Sequence, residues 1–345
     1  MNTLQLQKPF GRLAVWAGLL LLLLLAALEG VARTRFVHDL LSAPRLGTPH
    51  RQFEIQADRL AMAAAQGPIE CIFLGNSMVW RGFDPEAFAQ GYEQANGAPL
   101  TCFNFGVDGM PAAAAGQVAT WLVQTYQPRL LIYGTDARDY AVTTEERDAQ
   151  VLLELAWLNY HNGQFTLEGW LYEHLYLYRY RFHWQSLLRF DYDDALRSRS
   201  WLGGGLGLGF DWDETVGSVQ LPPDPNSEEG QIRYYYRLLS EYQILPANIA
   251  GLNQILALKQ TGTTILLVEM PVPANYMLFF GQGEADHARF MTAVSQAAAA
   301  AGAPFLPTTP LEAIPADGWV DYSHLNRTGA AAFSRWLGGV LVSSF

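Results

Sequence analysis

Hydrophobic positions fall along this chain in three different rhythms. The first is an uninterrupted apolar run at 13–28 that continues, broken only by Glu29, to Ala32. A hydrocarbon core of about 30 Å needs roughly 20 helical residues, so the run predicts a transmembrane anchor over 13–32 with Glu29 at the headgroups. A cleavable signal peptide would need a small-residue cleavage site, and Ala26, Ala27 and the Glu29-Gly30 step supply a poor one. The anchor therefore reads as uncleaved, behind a short segment at 1–12. The expected orientation puts the remainder of the chain outside the cell, with Arg33 and Arg35 after the run balancing Lys8 and Arg12 before it.

The second rhythm begins after a connector at 33–66 that Pro44, Gly47 and Pro49 punctuate. Short apolar runs at 69–74, 101–105, 130–133, 264–268 and 304–306 have the composition of strands buried on both faces. Helical patterns at 85–94, 112–126, 252–260, 285–301 and 328–342 separate or follow them. That alternation predicts an α/β domain over 67–345 built on a doubly wound parallel sheet.

The third rhythm is an insertion at about 143–245, between the third and fourth strands. Trp157, Tyr160, Trp170, Tyr172, Tyr176, Tyr178, Tyr180, Phe182 and Trp184, interleaved with Arg179 and Arg181, predict two or three helices. Packing of an auxiliary helical layer is the first reading of these rings. The second is a sugar-binding or membrane-facing surface. The glycine-rich stretch 203–209 lacks the Lys-Ser or Lys-Thr of a phosphate loop and reads as a mobile loop or lid, and helical periodicity returns at 232–242.

Composition narrows the function. A net charge of -11 with 22 basic residues and no basic stripe excludes nucleic acid as an expected partner. His38, His50, His161, His174, His183 and His287 show no metal-ligand spacing, so neither metal nor cofactor is expected. Cys71 and Cys102 read first as buried free thiols, with a disulfide between neighbouring strands as the alternative in an exported domain.

The chemistry is carried by residues at strand ends. Ser77, in Gly75-Asn76-Ser77, follows the first strand, where open parallel sheets bind ligands, and the glycine permits a tight turn. Asp321 and His324, in Asp-x-x-His, precede the final helix. Three residues of separation let the carboxylate reach one imidazole nitrogen while the other accepts a serine proton. Arg138 with Asp139, and Arg81, offer charge to an anionic substrate group, although a structural salt bridge is the commoner fate of such arginines.

Taken in order, Gly75-Asn76-Ser77, Asn104-Phe105-Gly106, Gly134-Thr135-Asp136 and Asp321-x-x-His324 resemble the four blocks of the SGNH/GDSL hydrolase superfamily. The likeness covers the core and neither the anchor nor the insertion. It implies a flavodoxin-like three-layer fold and makes Ser77 the nucleophile, His324 the general base and acid, and Asp321 its orienting partner. The N–H groups of Ser77 and Gly106 would form the oxyanion hole. The third block departs from the pattern, because Asp136 stands where an asparagine donor is usual. The anchor and the run Val268-Glu269-Met270-Pro271-Val272-Pro273 are most similar to extracytoplasmic proteins of alginate O-acetylation and lipoteichoic-acid D-alanylation. That similarity implies an O-acyltransferase or esterase acting on an acylated cell-envelope glycan or other acyl ester, with a membrane-bound acyl-transfer partner. A non-catalytic glycan-binding or assembly module is the alternative.

Overall fold

The structure, a computed structural model, describes residues 7–41, 44–141, 150–181, 228–309 and 311–341. The chain opens with helix α1 (Gln7–Ala32), followed by α2 (Arg35–Leu41) and α3 (Arg51–Ala64). Within α1, Arg12–Ala32 is long and apolar enough to cross a membrane, and none of its most apolar stretch is buried by the rest of the protein.

Five parallel strands follow: β1 (Cys71–Gly75), β2 (Cys102–Gly106), β3 (Leu130–Thr135), β4 (Thr264–Glu269) and β5 (Phe305–Leu306). They lie in the order β2-β1-β3-β4-β5. The five runs expected from the sequence are these strands, displaced by no more than two residues at either end. Every residue of β1, β2 and β3 is buried, as their unbroken apolar composition requires in a sheet covered on both faces.

Right-handed crossovers assign the helices to faces. The chain moves from β1 outward to β2 through α4 (Ser77–Gly82) and α5 (Pro85–Asn96), then reverses through α6 (Ala112–Tyr126) to β3. The reversal puts α5 and α6 on opposite faces. Helix Pro246–Ala257 packs on α6, and the last helix, Arg327–Val340, packs on α5. Local signals set these boundaries. Asp84 caps α5 by accepting from the N–H groups of Glu86 and Ala87, Pro85 occupies its first turn, and Gly97 ends it in the left-handed conformation.

Two stretches differ from the sequence reading. Leu46, Phe53, Ala57 and Leu60, from the stretch read as a connector, belong to the main hydrophobic core. Glu54 there is fully buried and bound by Arg45 at 2.6 Å and Arg51 at 2.8 Å, so α3 is tied into the domain by ions as well as apolar contact. Cys71 and Cys102, first read as free thiols, are joined in a disulfide. The parallel register sets them opposite each other on β1 and β2, with Cα atoms 4.4 Å apart.

The insertion contributes α7 (Gln150–Leu153), α8 (Ala156–His161), α9 (Leu167–His174) and α10 (Tyr176–Arg179), and the chain returns through helix Glu228–Leu239. Trp157 and Tyr172 join the main core, which bears out the packing role for those rings. Phe182, Trp184 and the glycine-rich 203–209 lie outside the described residues.

Candidate active site

The sheet reverses direction between β1 and β3, and ligands of such sheets bind in the crevice at the carboxyl ends of the strands flanking that point. Ser77 and Asp136 leave β1 and β3 there. Gly75 turns the chain out of β1 with φ 155°, and a Cβ at this position would collide with the Gly134 carbonyl oxygen and the Val79 side chain. Asn76 then caps α4 by accepting from the Met78 N–H at 2.7 Å. Ser77, as the first residue of α4, carries an N–H with no intrahelical acceptor, and it is partly exposed amid buried neighbours.

The other side of the crevice is the turn before the last helix. Val320 donates its N–H to the His324 carbonyl at 2.8 Å, and Asn326 donates to that of Gly318 at 2.9 Å while capping the helix. Inside this turn Asp321 Oδ1 accepts the N–H groups of Ser323 and His324, both at 2.8 Å. His324 Nδ1 lies 2.7 Å from Asp321 Oδ2, and Nε2 lies 2.8 Å from Ser77 Oγ. A carboxylate at Nδ1 fixes the proton there and leaves Nε2 to accept from the serine hydroxyl. Burial works to raise the Asp321 carboxyl, but His324 and these donors outweigh it and hold the group below the usual carboxylate range. The structure thus brings together the three residues that the sequence singled out, from positions 247 apart in the chain.

The expected oxyanion donors fare differently. The Gly106 N–H donates to Asn104 Oδ1 at 2.9 Å, so it is committed to a bond within β2. Asn104 in turn donates to the carbonyls of Val79, Trp80 and Phe83, which ties the segment carrying Ser77 to the sheet. Asp136 accepts from Arg138 Nε at 2.9 Å, from Asn76 Nδ2 at 3.3 Å and from the Asp139 N–H at 3.2 Å. Its side-chain oxygens are acceptors in a buried pair, and its N–H is taken by Asp139 Oδ2 at 3.1 Å. Arg138, expected at a substrate anion, is buried against Asp136, and its guanidinium also sits 5.7 Å from the centre of the Tyr235 ring. Arg81 lies over Trp80 at 5.5 Å.

Next to this pair, burial and then the Asp136 charge push the Asp139 carboxyl well above the ordinary carboxylate range. Asp139 lies 2.6 Å from Asn76 Nδ2 and close to the Tyr133 and Thr135 hydroxyls, so the residue before Ser77 is clamped from β3. Asp108, just past β2, is raised by burial against the opposing charges of Arg81, His324, His50 and Arg138.

The sequence reading missed Tyr235. It comes from the return helix of the insertion, is buried, and places its hydroxyl 3.2 Å from Asp321 Oδ1 and 2.7 Å from Ser323 Oγ. Its ring stacks on Phe279 with centroids 5.2 Å apart. The only sign in the sequence is the run Tyr234-Tyr235-Tyr236 at helical periodicity, which says nothing of a contact to a residue 86 positions away.

No protein-family model matches this chain, and no curated protein matches it. Among solved structures, an inhibitor-bound aryl esterase of M. smegmatis aligns with 79% of this chain and 98% of its own, at 12% identity and a TM-score of 0.34.

Proposed function

We propose that the protein is a membrane-anchored, extracytoplasmic serine enzyme that cleaves or transfers acyl esters of a cell-envelope glycan. The observation that carries this reading is the continuous chain from Ser77 Oγ to His324 Nε2 at 2.8 Å and from His324 Nδ1 to Asp321 at 2.7 Å. In such a chain His324 takes the serine proton as Oγ attacks the ester carbonyl, and Asp321 stabilises the imidazolium that forms. The tetrahedral intermediate collapses to an acyl-serine as His324 returns the proton to the leaving oxygen. A second hydroxyl, from water or an acceptor sugar, repeats the sequence in reverse and frees Ser77.

The Ser77 N–H is the oxyanion donor that the geometry supports. Tyr235 acts as a positioning residue, since its hydroxyl touches Asp321 and not the reacting atoms. The long apolar α1 supports anchoring, and the Cys71–Cys102 disulfide supports an oxidising compartment. Envelope glycan as substrate rests on the likeness of the four sequence blocks and the anchor to extracytoplasmic acyl-transfer proteins. That likeness also suggests a membrane-bound partner that supplies the acyl group.

A fluorophosphonate probe should label the intact protein and leave Ser77→Ala unlabelled. With a model acyl ester and an oligosaccharide acceptor, acylated oligosaccharide marks a transferase, and free acid alone marks an esterase. The commitment of Gly106 and Asp136 to internal bonds favours a second reading, a glycan-binding or assembly module with a weakened oxyanion hole. Absence of probe labelling at Ser77 would decide for that reading.

A further inference from the structure

Where α1 ends, the chain does not swing free. Glu29 accepts the N–H groups of Tyr176 at 2.8 Å and Leu177 at 3.0 Å, and so caps α10 of the insertion. Arg33 closes the corner. It pairs with Glu29 at 2.9 Å, donates to the His174 carbonyl at 2.5 Å, and lies over the Tyr176 ring at 5.0 Å. Ala32, Val37, Leu41 and Tyr180 form a small hydrophobic core of their own behind this corner. A carboxylate at the edge of a bilayer is costly unless satisfied, and here two backbone donors and a guanidinium satisfy it.

From this corner a set of large apolar side chains spreads outward without cover. Trp170 is one helical turn from His174 on the same face of α9, with ring centres 5.0 Å apart. Leu167 is a turn further on. Tyr160 bridges His174, at 6.0 Å, to Phe165, at 6.1 Å. Phe165 is 72% exposed, Leu167 66%, and Phe36 on α2 74%, so most of each side chain is open to the surroundings. They adjoin the end of a helix whose 21-residue apolar stretch, at about 1.5 Å per residue, reaches about 31 Å, the thickness of a hydrocarbon core.

We infer that the helical insertion is a membrane platform: Phe36, Phe165, Leu167 and Trp170 lie in the headgroup layer of the bilayer that α1 spans. The occupant is lipid because the patch adjoins the point where the chain leaves the bilayer. Its mixture of tryptophan, phenylalanine, leucine and arginine is that of an interfacial surface. The platform holds the crevice at a fixed height above the membrane, with α1 clamped by Glu29 rather than acting as a loose tether. The inference rests on α1 as a membrane span and is independent of the chemistry proposed for Ser77.

The test uses the full chain in phospholipid vesicles, spin-labelled at single introduced cysteines, since the native pair is bonded. Labels at Phe165→Cys and Leu167→Cys are compared with Leu20→Cys inside the span and Glu93→Cys, an exposed site on α5. Relative collision with oxygen and with a water-soluble nickel chelate reports depth. Labels at 165 and 167 should shift toward oxygen, to values between those at 93 and 20. Values equal to the Glu93→Cys label would put the patch in water, where a glycan or protein would have to cover it, and would overturn the platform. A Leu20→Cys label that itself reads as water would show that α1 does not span, and the platform would fail with it. Neither result would bear on probe labelling of Ser77.

Discussion

Replacing Tyr235 by phenylalanine deletes one oxygen atom next to the triad and leaves the ring where it is. The stack on Phe279 and the face presented to Arg138 survive, so the change isolates the hydroxyl. Asp321 Oδ1 already accepts two backbone N–H groups at 2.8 Å, and the tyrosine, at 3.2 Å and shared with Ser323, is its longest polar contact. A buried hydrogen bond to a charged group contributes roughly 1.5–3 kcal/mol, and the length and sharing put this one at the bottom of that range. About 1.5 kcal/mol of lost support for the carboxylate–imidazolium pair is about a tenfold fall in kcat. Because the hydroxyl holds Asp321 in place against His324 and touches no substrate atom, kcat and kcat/KM should fall together with KM unchanged. The assay is steady-state hydrolysis of a p-nitrophenyl acyl ester beside thermal unfolding, where Tm should drop by no more than about 4 °C. Tyr235→Leu, which also loses the stack, should unfold earlier at a similar kcat. An unchanged kcat, or a rise in KM alone, would refute the positioning role; a loss near the roughly 10⁴-fold expected for a triad aspartate would mean that the hydroxyl is part of the proton path.

Other perturbations test the scaffold around the site. Asp139 is raised in the folded protein, so the native state holds a proton that the unfolded chain releases near pH 4, and stability falls with rising pH from there to the folded pKa. Chemical denaturation of Asp139→Asn across pH should remove that slope, and a parallel profile for both proteins would contradict the assignment. Arg138→Met leaves Asp136 buried beside its neighbour without its cation, which should cost about 3–5 kcal/mol. Urea titration would measure it, and restoration by a second change, Asp136→Asn, would identify the cause. Replacing Cys71 and Cys102 together by alanine opens a loop of 31 residues and should lower stability by roughly 3–4 kcal/mol, read from the shift in denaturation midpoint.

The sheet was legible because a doubly covered parallel strand leaves an unmistakable trace: five short apolar runs, three ended by glycine, one by Glu269 and one by Pro307. The Ser77–His324–Asp321 set was legible because its members have local signals, Ser77 at the end of β1 beside Asn76 and a three-residue turn joining Asp321 to His324 before the last helix. What escaped was set by distant contacts. Asn104 accepts from Gly106, two residues on, and nothing in Asn-Phe-Gly distinguishes that internal bond from an N–H open to substrate. The Asp136–Arg138 pair needed the β3 exit to tighten into the turn Ala137–Tyr140, and Tyr235 needed the whole insertion to return. The cysteines became a disulfide only once register set Cys71 against Cys102, a fact of pairing and not of composition.

The separation of 247 residues between Ser77 and His324 also orders events during synthesis. Helix α1 and β1 leave the ribosome well before the segment that carries His324, and Ser77 can be placed beside its strand while that segment is still unmade. His324 arrives with the turn before helix Arg327–Val340, which must then dock on α5. Until that docking Ser77 is an ordinary alcohol. If Ser77 is the nucleophile we propose, a chain truncated before His324 is inert toward esters, and reactivity toward a fluorophosphonate reports closure of the fold.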